Sequence, residues 1–196
     1  MKRADENNIT SPKELLNELH GYFKALLNNE KVGEPWQVEP ASTDLNINTE
    51  AFTLEEVKCV VQDLKRGKSP GCDYGITPEA LQFGGDYVIQ QLCDICNDVY
   101  ANGKAPEQFT TNLIVPLPKK GDLTLMNNYR GISLMPVAAK VYKKVLLYRI
   151  RDPIDAILRR NQAGFRKGRG CTEQVHVLRR IIQGAIDKNI DLYIDR

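Results

Sequence analysis

Apolar positions in the first half of the chain recur at helical intervals. Leu15, Leu16, Leu19, Tyr22, Phe23, Leu26 and Leu27 share one stripe. Ser11-Pro12-Lys13-Glu14 ahead of them reads as a capping box with proline at the first helical position, where its missing N–H costs nothing. Asn28-Asn29 and Gly33 predict the end of that helix, and residues 34–50, with Pro35, Pro40 and no periodicity, predict a linker. A second capping box, Thr53-Leu54-Glu55-Glu56, opens a shorter predicted helix with Val57, Val60, Val61 and Leu64 inward and Gly67 as its left-handed C-cap. After the turn-rich residues 67–73, a third predicted helix over residues 86–101 stacks Val88, Ile89, Leu92, Ile95, Cys96 and Val99, and stops near Asn102-Gly103.

The period changes near residue 110. Thr111-Asn112-Leu113-Ile114-Val115-Pro116-Leu117 and Ile132-Ser133-Leu134-Met135 are β-type runs, joined by a polar loop from Pro118 to Tyr129. Together they predict an antiparallel hairpin with a long basic tip, its first strand kept to a sheet edge by Pro116 and Pro118. A helix over residues 137–151 is expected to bury Val137, Ala138, Val141, Val145 and Tyr148 while exposing Lys140, Lys143, Lys144 and Arg151. The glycine-rich residues 161–170 lead into a last predicted helix over 172–188, with Val175, Leu178, Ile181, Ile182 and Ala185 as its core stripe. The closing Leu192-Tyr193-Ile194-Asp195-Arg196 reads as the opening of a strand.

Charge divides the chain in a way the net value of +2 conceals. Residues 1–103 carry 9 Lys/Arg against 17 Asp/Glu, or −8, whereas residues 104–196 carry 18 against 8, or +10. A basic half joined to an acidic half suits a polyanion held on one surface, nucleic acid being the commonest such partner, although solvated helix faces give the same count. No stretch reaches the ~18 uninterrupted apolar residues of a membrane helix, so no membrane partner is expected, and the basic start has no apolar run of a secretory signal behind it. The 5 cysteines, an odd number, predict free thiols and an intracellular, reducing compartment, nucleus or cytoplasm.

Two segments suit phosphate chemistry. Gly164, Gly168 and Gly170 let the backbone approach a polyanion, Arg166, Lys167 and Arg169 bring charge, and Phe165 offers a face to a base. Neither a Walker loop nor a dinucleotide fingerprint is spelled there, and an ordinary basic surface turn fits the same residues. Lys119-Lys120 at the hairpin tip and Arg130 at the base of the second strand make a second cluster, point charges beside a guanidinium fork. Lys-Lys-Gly-Asp is equally a good exposed turn. Cys93-x-x-Cys96 has no second pair and only His20 and His176 to join it, so packing is the expected role rather than zinc.

The ordered strings Pro116-Leu117-Pro118-Lys119-Lys120-Gly121-Asp122, Asn128-Tyr129-Arg130-Gly131-Ile132-Ser133-Leu134, Lys140 and Gln162-Ala163-Gly164-Phe165-Arg166-Lys167-Gly168-Arg169 resemble the fingers of a reverse transcriptase, of the kind encoded by non-LTR (LINE-type) retrotransposons. Upstream, Leu64-Lys65-Arg66-Gly67-Lys68-Ser69-Pro70-Gly71-Cys72-Asp73 resembles the N-terminal extension of the same enzymes, and residues 1–50 their variable connector. The resemblance implies that Arg130 contacts the triphosphate of a deoxynucleotide, that Lys119 and Lys120 approach nucleotide or template, and that Gln162, Gly164, Phe165, Arg166, Lys167 and Arg169 lie by the template. It also implies an RNA template, a DNA primer or RNA–DNA hybrid, and a palm and thumb elsewhere in the parent protein. Parent enzymes use Mg2+ held by carboxylates, two of them in Tyr-x-Asp-Asp. This chain has no Asp-Asp pair, so no metal is expected on it alone. Asp195 is the candidate for the first palm aspartate, catalytic and metal-binding, although Arg196 stands where the family has an apolar or aromatic residue.

The expected fold is α+β, mostly helical: a helical connector over 1–50, a helical N-terminal extension over 51–109, and reverse-transcriptase fingers with a short antiparallel hairpin and the possible start of a palm over 110–196. The expected function is part of an RNA-directed DNA polymerase, inactive alone. The alternatives are a non-catalytic nucleic-acid-binding remnant of a retroelement, or a marginally stable fragment.

Overall fold

A computed structural model of the chain describes residues 11–28, 39, 44–72 and 75–193. It is mostly helical with one two-stranded antiparallel sheet, and among the described residues no helix is long and apolar enough to cross a membrane. The chain divides into two compact units, residues 1–43 with 49–147, and residues 44–48 with 148–196.

In the first unit α1 (Pro12–Leu27) starts with Pro12 at its first turn. Ser11 makes no side-chain cap bond, so that half of the expected capping box is not formed. Only Phe23 of the expected apolar stripe is buried, while Leu16, Leu26 and Leu27 are exposed. The capping box of α2 (Leu54–Gln62) is complete: Glu56 N–H donates to Thr53 Oγ1 at 3.3 Å and Thr53 N–H to Glu56 Oε2 at 2.8 Å. Its Val57, Val60 and Val61 are fully buried, each contributing about 1.5–3 kcal/mol by removal from water.

Contrary to the expectation for Gly67, α2 ends on Asp63. The Gln82 amide supplies the reason, donating from Nε2 to the carbonyls of Val61, Gln62 and Leu64 at 2.9–3.1 Å and satisfying groups that a helix end leaves open. Gly67 is left-handed, φ +67°, but serves the joint to the next helix, its N–H donating to Glu79 Oε1 at 2.6 Å. That bond is the main reason the Glu79 carboxyl is held below its ordinary pKa. Gln82 and Glu79 lie on α3 (Pro78–Phe83), a helix the apolar pattern did not predict, although Thr77 caps it and Pro78 occupies its first turn.

The third predicted helix is α4 (Gly85–Asn102), closed by Gly103 at φ +63°. It buries Cys93 where the pattern placed Ile95, which is exposed. The rotation follows from Phe52, whose N–H donates to Asn97 Oδ1 at 2.6 Å and whose carbonyl accepts from Asn97 Nδ2 at 3.0 Å and the Cys93 thiol at 3.3 Å. Phe52 also packs on Tyr100 and Tyr142, with ring centroids at 4.9 and 6.1 Å. A single turn, α5 (Glu107–Thr110), also unpredicted, precedes β1 (Leu113–Pro118). β1 pairs antiparallel with β2 (Tyr129–Leu134), then α6 (Val137–Ile157) follows. In α6 the buried residues are Val137, Ala139, Val141 and Val145, so Ala139 takes the place expected of Ala138, and Tyr148 is half-buried. Lys144 holds α6 to the end of α2, with Nζ at 3.1 Å from the Asp63 carbonyl and 3.5 Å from its carboxylate.

In the second unit α6 continues past the predicted stop at Arg151, through Pro153 to Ile157. The glycine-rich loop follows, then α7 (Cys171–Asp187). None of the core stripe predicted for α7 is buried: Val175, Leu178, Ile181 and Ile182 are 37–51% exposed, because no described element covers that face. Leu192 and Tyr193 are not in a strand. Asp195, the candidate metal ligand, lies outside the described residues, as do Pro35, Pro40 and Asp73.

Candidate nucleic-acid interface

The hairpin register fixes which residues share a face. Leu113 opposes Leu134, Val115 opposes Ile132, and Leu117 opposes Arg130, while the alternate pairs are Ile114 with Ser133, Pro116 with Gly131, and Pro118 with Tyr129. Alternation along each strand sends these two sets to opposite faces. α1 lies on the Gly131 face, where a Cβ built on Gly131 would fall 2.7 Å from Phe23 Cε1. A groove of about 620 Å³ runs between α1 and β1 on that side. Arg130 is on the other face, exposed, beside the exposed side chains of Leu117 and Ile132. Its backbone pairs with Leu117 in the ladder, while its guanidinium has no hydrogen-bond or ion-pair partner among the described residues. Such a site offers an apolar shelf with one guanidinium fork.

The hairpin tip is braced from within. Lys119 N–H donates to the Asn128 carbonyl at 2.7 Å, extending the ladder, and Lys119 Nζ to the Asn127 carbonyl at 2.8 Å. Asn128 Nδ2 donates to the Asp122 carbonyl at 2.7 Å, Thr124 N–H to Asp122 Oδ1 at 2.8 Å, and Tyr129 OH to the Leu123 carbonyl at 3.1 Å. Lys120 remains exposed, without a bonded partner among the described residues. The tip thus carries one tethered lysine and one open one.

The glycine-rich loop is built around Arg166. Its guanidinium grips the Asp155 carboxylate with two bonds, Nε to Oδ1 at 2.7 Å and Nη2 to Oδ2 at 2.9 Å. It also donates to the carbonyls of Asp155, Arg159 and Gln162 at 3.0–3.4 Å. The Arg166 side chain is only 8% exposed. The hydrogen bond from Arg166 holds the Asp155 carboxyl below its ordinary pKa, and the same bond raises that of Arg166. Sequence grouped Arg166 with the template contacts, yet its donors are engaged inside the chain. Nothing in the sequence pairs it with Asp155, 11 positions earlier on α6.

Next to this clamp Phe165 is left-handed, φ +60°, and its side chain is fully exposed. A bulky residue in that region stores about 1–3 kcal/mol, which surrounding bonds must offset. Lys167, Arg169, Gln162 and Gly164 are exposed along the same loop, with Arg169 Nη1 donating to the Arg160 carbonyl at 3.1 Å. Ala163 is buried and anchors the segment.

The remaining candidates are structural. Burial pushes the Cys96 thiol up to about 12 and raises that of Cys93. Among the described residues no three His, Cys, Asp or Glu side chains are placed to hold a metal ion.

The comparisons with known proteins lead to proteins of mobile elements. The chain is 29% identical over 176 residues to the RNA-directed DNA polymerase from mobile element jockey of Drosophila funebris, a match covering 87% of this chain and 19% of that protein. It is 31% identical over 147 residues to the protein of the same description in Drosophila melanogaster, covering 73% and 16%. It is 28% identical over 134 residues to the Transposon TX1 uncharacterized 149 kDa protein of Xenopus laevis, covering 68% and 10%. The chain therefore spans between a tenth and a fifth of the length of these relatives. No protein-family model matches it. These relatives make the chain a homologue of one segment of the RNA-directed DNA polymerases of LINE-type, non-LTR retrotransposons, the kind of enzyme its motifs resemble.

Proposed function

We propose that this chain is the nucleotide- and template-holding part of a retroelement reverse transcriptase, and that by itself it binds its ligands without extending a primer. Arg130 neutralises the triphosphate of the incoming deoxynucleotide, with Lys119 and Lys120 at the same end of the hairpin. Gln162, Gly164, Phe165, Lys167 and Arg169 contact an RNA template or RNA–DNA hybrid. The division into connector, N-terminal extension and fingers follows the same reading, and free thiols suit an intracellular setting.

The observation that carries this reading is the open guanidinium of Arg130, presented on an exposed apolar face with no described side chain to neutralise it. An unengaged arginine beside a flat apolar shelf matches a ligand with a planar base and a charged tail. The test is equilibrium binding by the 196-residue chain. A fluorescent deoxynucleoside triphosphate reports the first site, and a labelled RNA–DNA hybrid in a salt series reports the second. Arg130→Ala is expected to weaken the nucleotide at least tenfold, while hybrid affinity changes little and falls steeply with salt. Equal losses of both ligands would defeat the assignment. Primer extension by the chain in Mg2+ would defeat the claim that it only holds them. Hybrid binding with no nucleotide binding would favour the non-catalytic remnant.

A further inference from the structure

The Arg166–Asp155 clamp has a geometry that template charge alone does not explain. A guanidinium meant for phosphate is useful when open, and this one is spent on a carboxylate and three main-chain carbonyls. What the clamp does fix is the chain on either side of it. Its partners are residues 155, 159 and 162, so it ties the end of α6 to the first half of the loop. The residue immediately before it, Phe165, stands fully exposed in a backbone conformation that bulky side chains rarely adopt. An aromatic ring held outward at that cost, with Lys167 and Arg169 exposed just beyond it, matches a stacking surface flanked by backbone charge.

We propose that Asp155 is a positioning residue: through Arg166 it locks the glycine-rich loop so that Phe165 projects as a platform for an unpaired template base. This rests on the template-binding reading of the loop and adds to it a residue on α6 that carries no charge favourable to nucleic acid. The sign of its effect separates it from plain electrostatics. Removing a negative charge beside a basic loop strengthens nucleic-acid binding if charge is all that matters. Loss of the lock weakens it.

The experiment uses the full chain and a single-stranded RNA carrying 2-aminopurine, read by anisotropy for affinity and by fluorescence quenching for stacking, with circular dichroism and melting followed in parallel. Phe165→Ala is expected to lose the quench and about tenfold in affinity, the scale of one base stacked on one aromatic ring. Asp155→Asn is expected to lose most of the quench and about threefold in affinity although it makes the chain more positive. Arg166→Lys keeps the charge but not the two-pronged grip, and is expected to behave like Asp155→Asn. Asp155→Glu keeps a carboxylate for the Arg166 guanidinium, whose bonds to the carbonyls of Arg159 and Gln162 are untouched, and is expected to retain most of the quench. If Asp155→Asn binds as well as the parent, or better, with the quench intact while Phe165→Ala loses both, the positioning role is overturned and the template reading survives. If Phe165→Ala changes neither signal, both fall. Should Asp155→Asn melt far below the parent, Asp155→Glu decides: recovered melting without recovered quench overturns the proposal.

Discussion

Gly131 is the position where a single methyl group tests the packing beneath the candidate nucleotide site. A Cβ there would lie 2.7 Å from Phe23 Cε1, 2.9 Å from Cδ1 and 3.0 Å from Ile114 Cγ2, against about 3.5–4.0 Å for relaxed carbon contacts. The ring must retreat by about 1 Å or the strand must shift, and overpacking of this kind costs about 1–3 kcal/mol. Phe23 is the one buried residue of α1, at 5% exposure, so Phe23→Ala alone is expected to cost about 3 kcal/mol, at the lower end for a core phenylalanine because the flanking groove allows collapse. When Gly131→Ala is combined with Phe23→Ala, the added methyl enters space the ring has left. The combined loss should therefore fall short of the sum by about 1–2 kcal/mol, a coupling typical of side chains in contact. Urea unfolding followed by far-UV ellipticity supplies the four free energies. A neutral Gly131→Ala, or losses additive to within about 0.5 kcal/mol, would refute the placement of Phe23 against β2.

Three further outcomes follow from features already described. Thr53→Ala should destabilise the first unit by about 1 kcal/mol in the same assay, and Glu56→Ala should add little to it, because the two side chains close one capping box. The Asp155 carboxyl is held below its ordinary pKa by Arg166, so its contribution is full above the ordinary carboxylate value and fades as pH falls through the lowered one. Melting temperatures taken downward from about pH 5 should show the parent losing more than Asp155→Asn. A thiol reagent at neutral pH should label exposed Cys59 and Cys171 in the folded chain and reach Cys93 and Cys96 only on unfolding, since both are buried with raised pKa values.

Periodicity and punctuation made the long helices and the hairpin readable. Thr53 with Glu56, Gly103, and the two apolar runs flanking a polar loop are local signals, and the structure places α2, α4, β1 and β2 within a few residues of them. What was not legible depends on distant partners. The end of α2 belongs to Gln82, some 20 residues away, and the facing of α4 belongs to Phe52 through Asn97. Thr77-Pro78 did announce α3, by capping chemistry rather than by apolar spacing. The α7 stripe shows the opposite failure: its pattern is amphipathic, but no described element covers it. At the candidate site the residue types were visible in sequence, whereas the difference between an open Arg130 and an engaged Arg166 was not. Both are arginines in glycine-containing segments, and only the fold puts a carboxylate within reach of one of them.

The two prolines of β1 have a consequence for the outer border of the hairpin. Because Lys119 N–H points inward to Asn128, alternation turns the backbone of residues 114, 116 and 118 outward, and two of those three, Pro116 and Pro118, have no N–H to give. A passing strand would find one donor where an ordinary edge offers three. That border is thereby a poor template for a further strand, which leaves sideways pairing to the β2 edge, whose outward residues Gly131 and Ser133 keep their N–H groups.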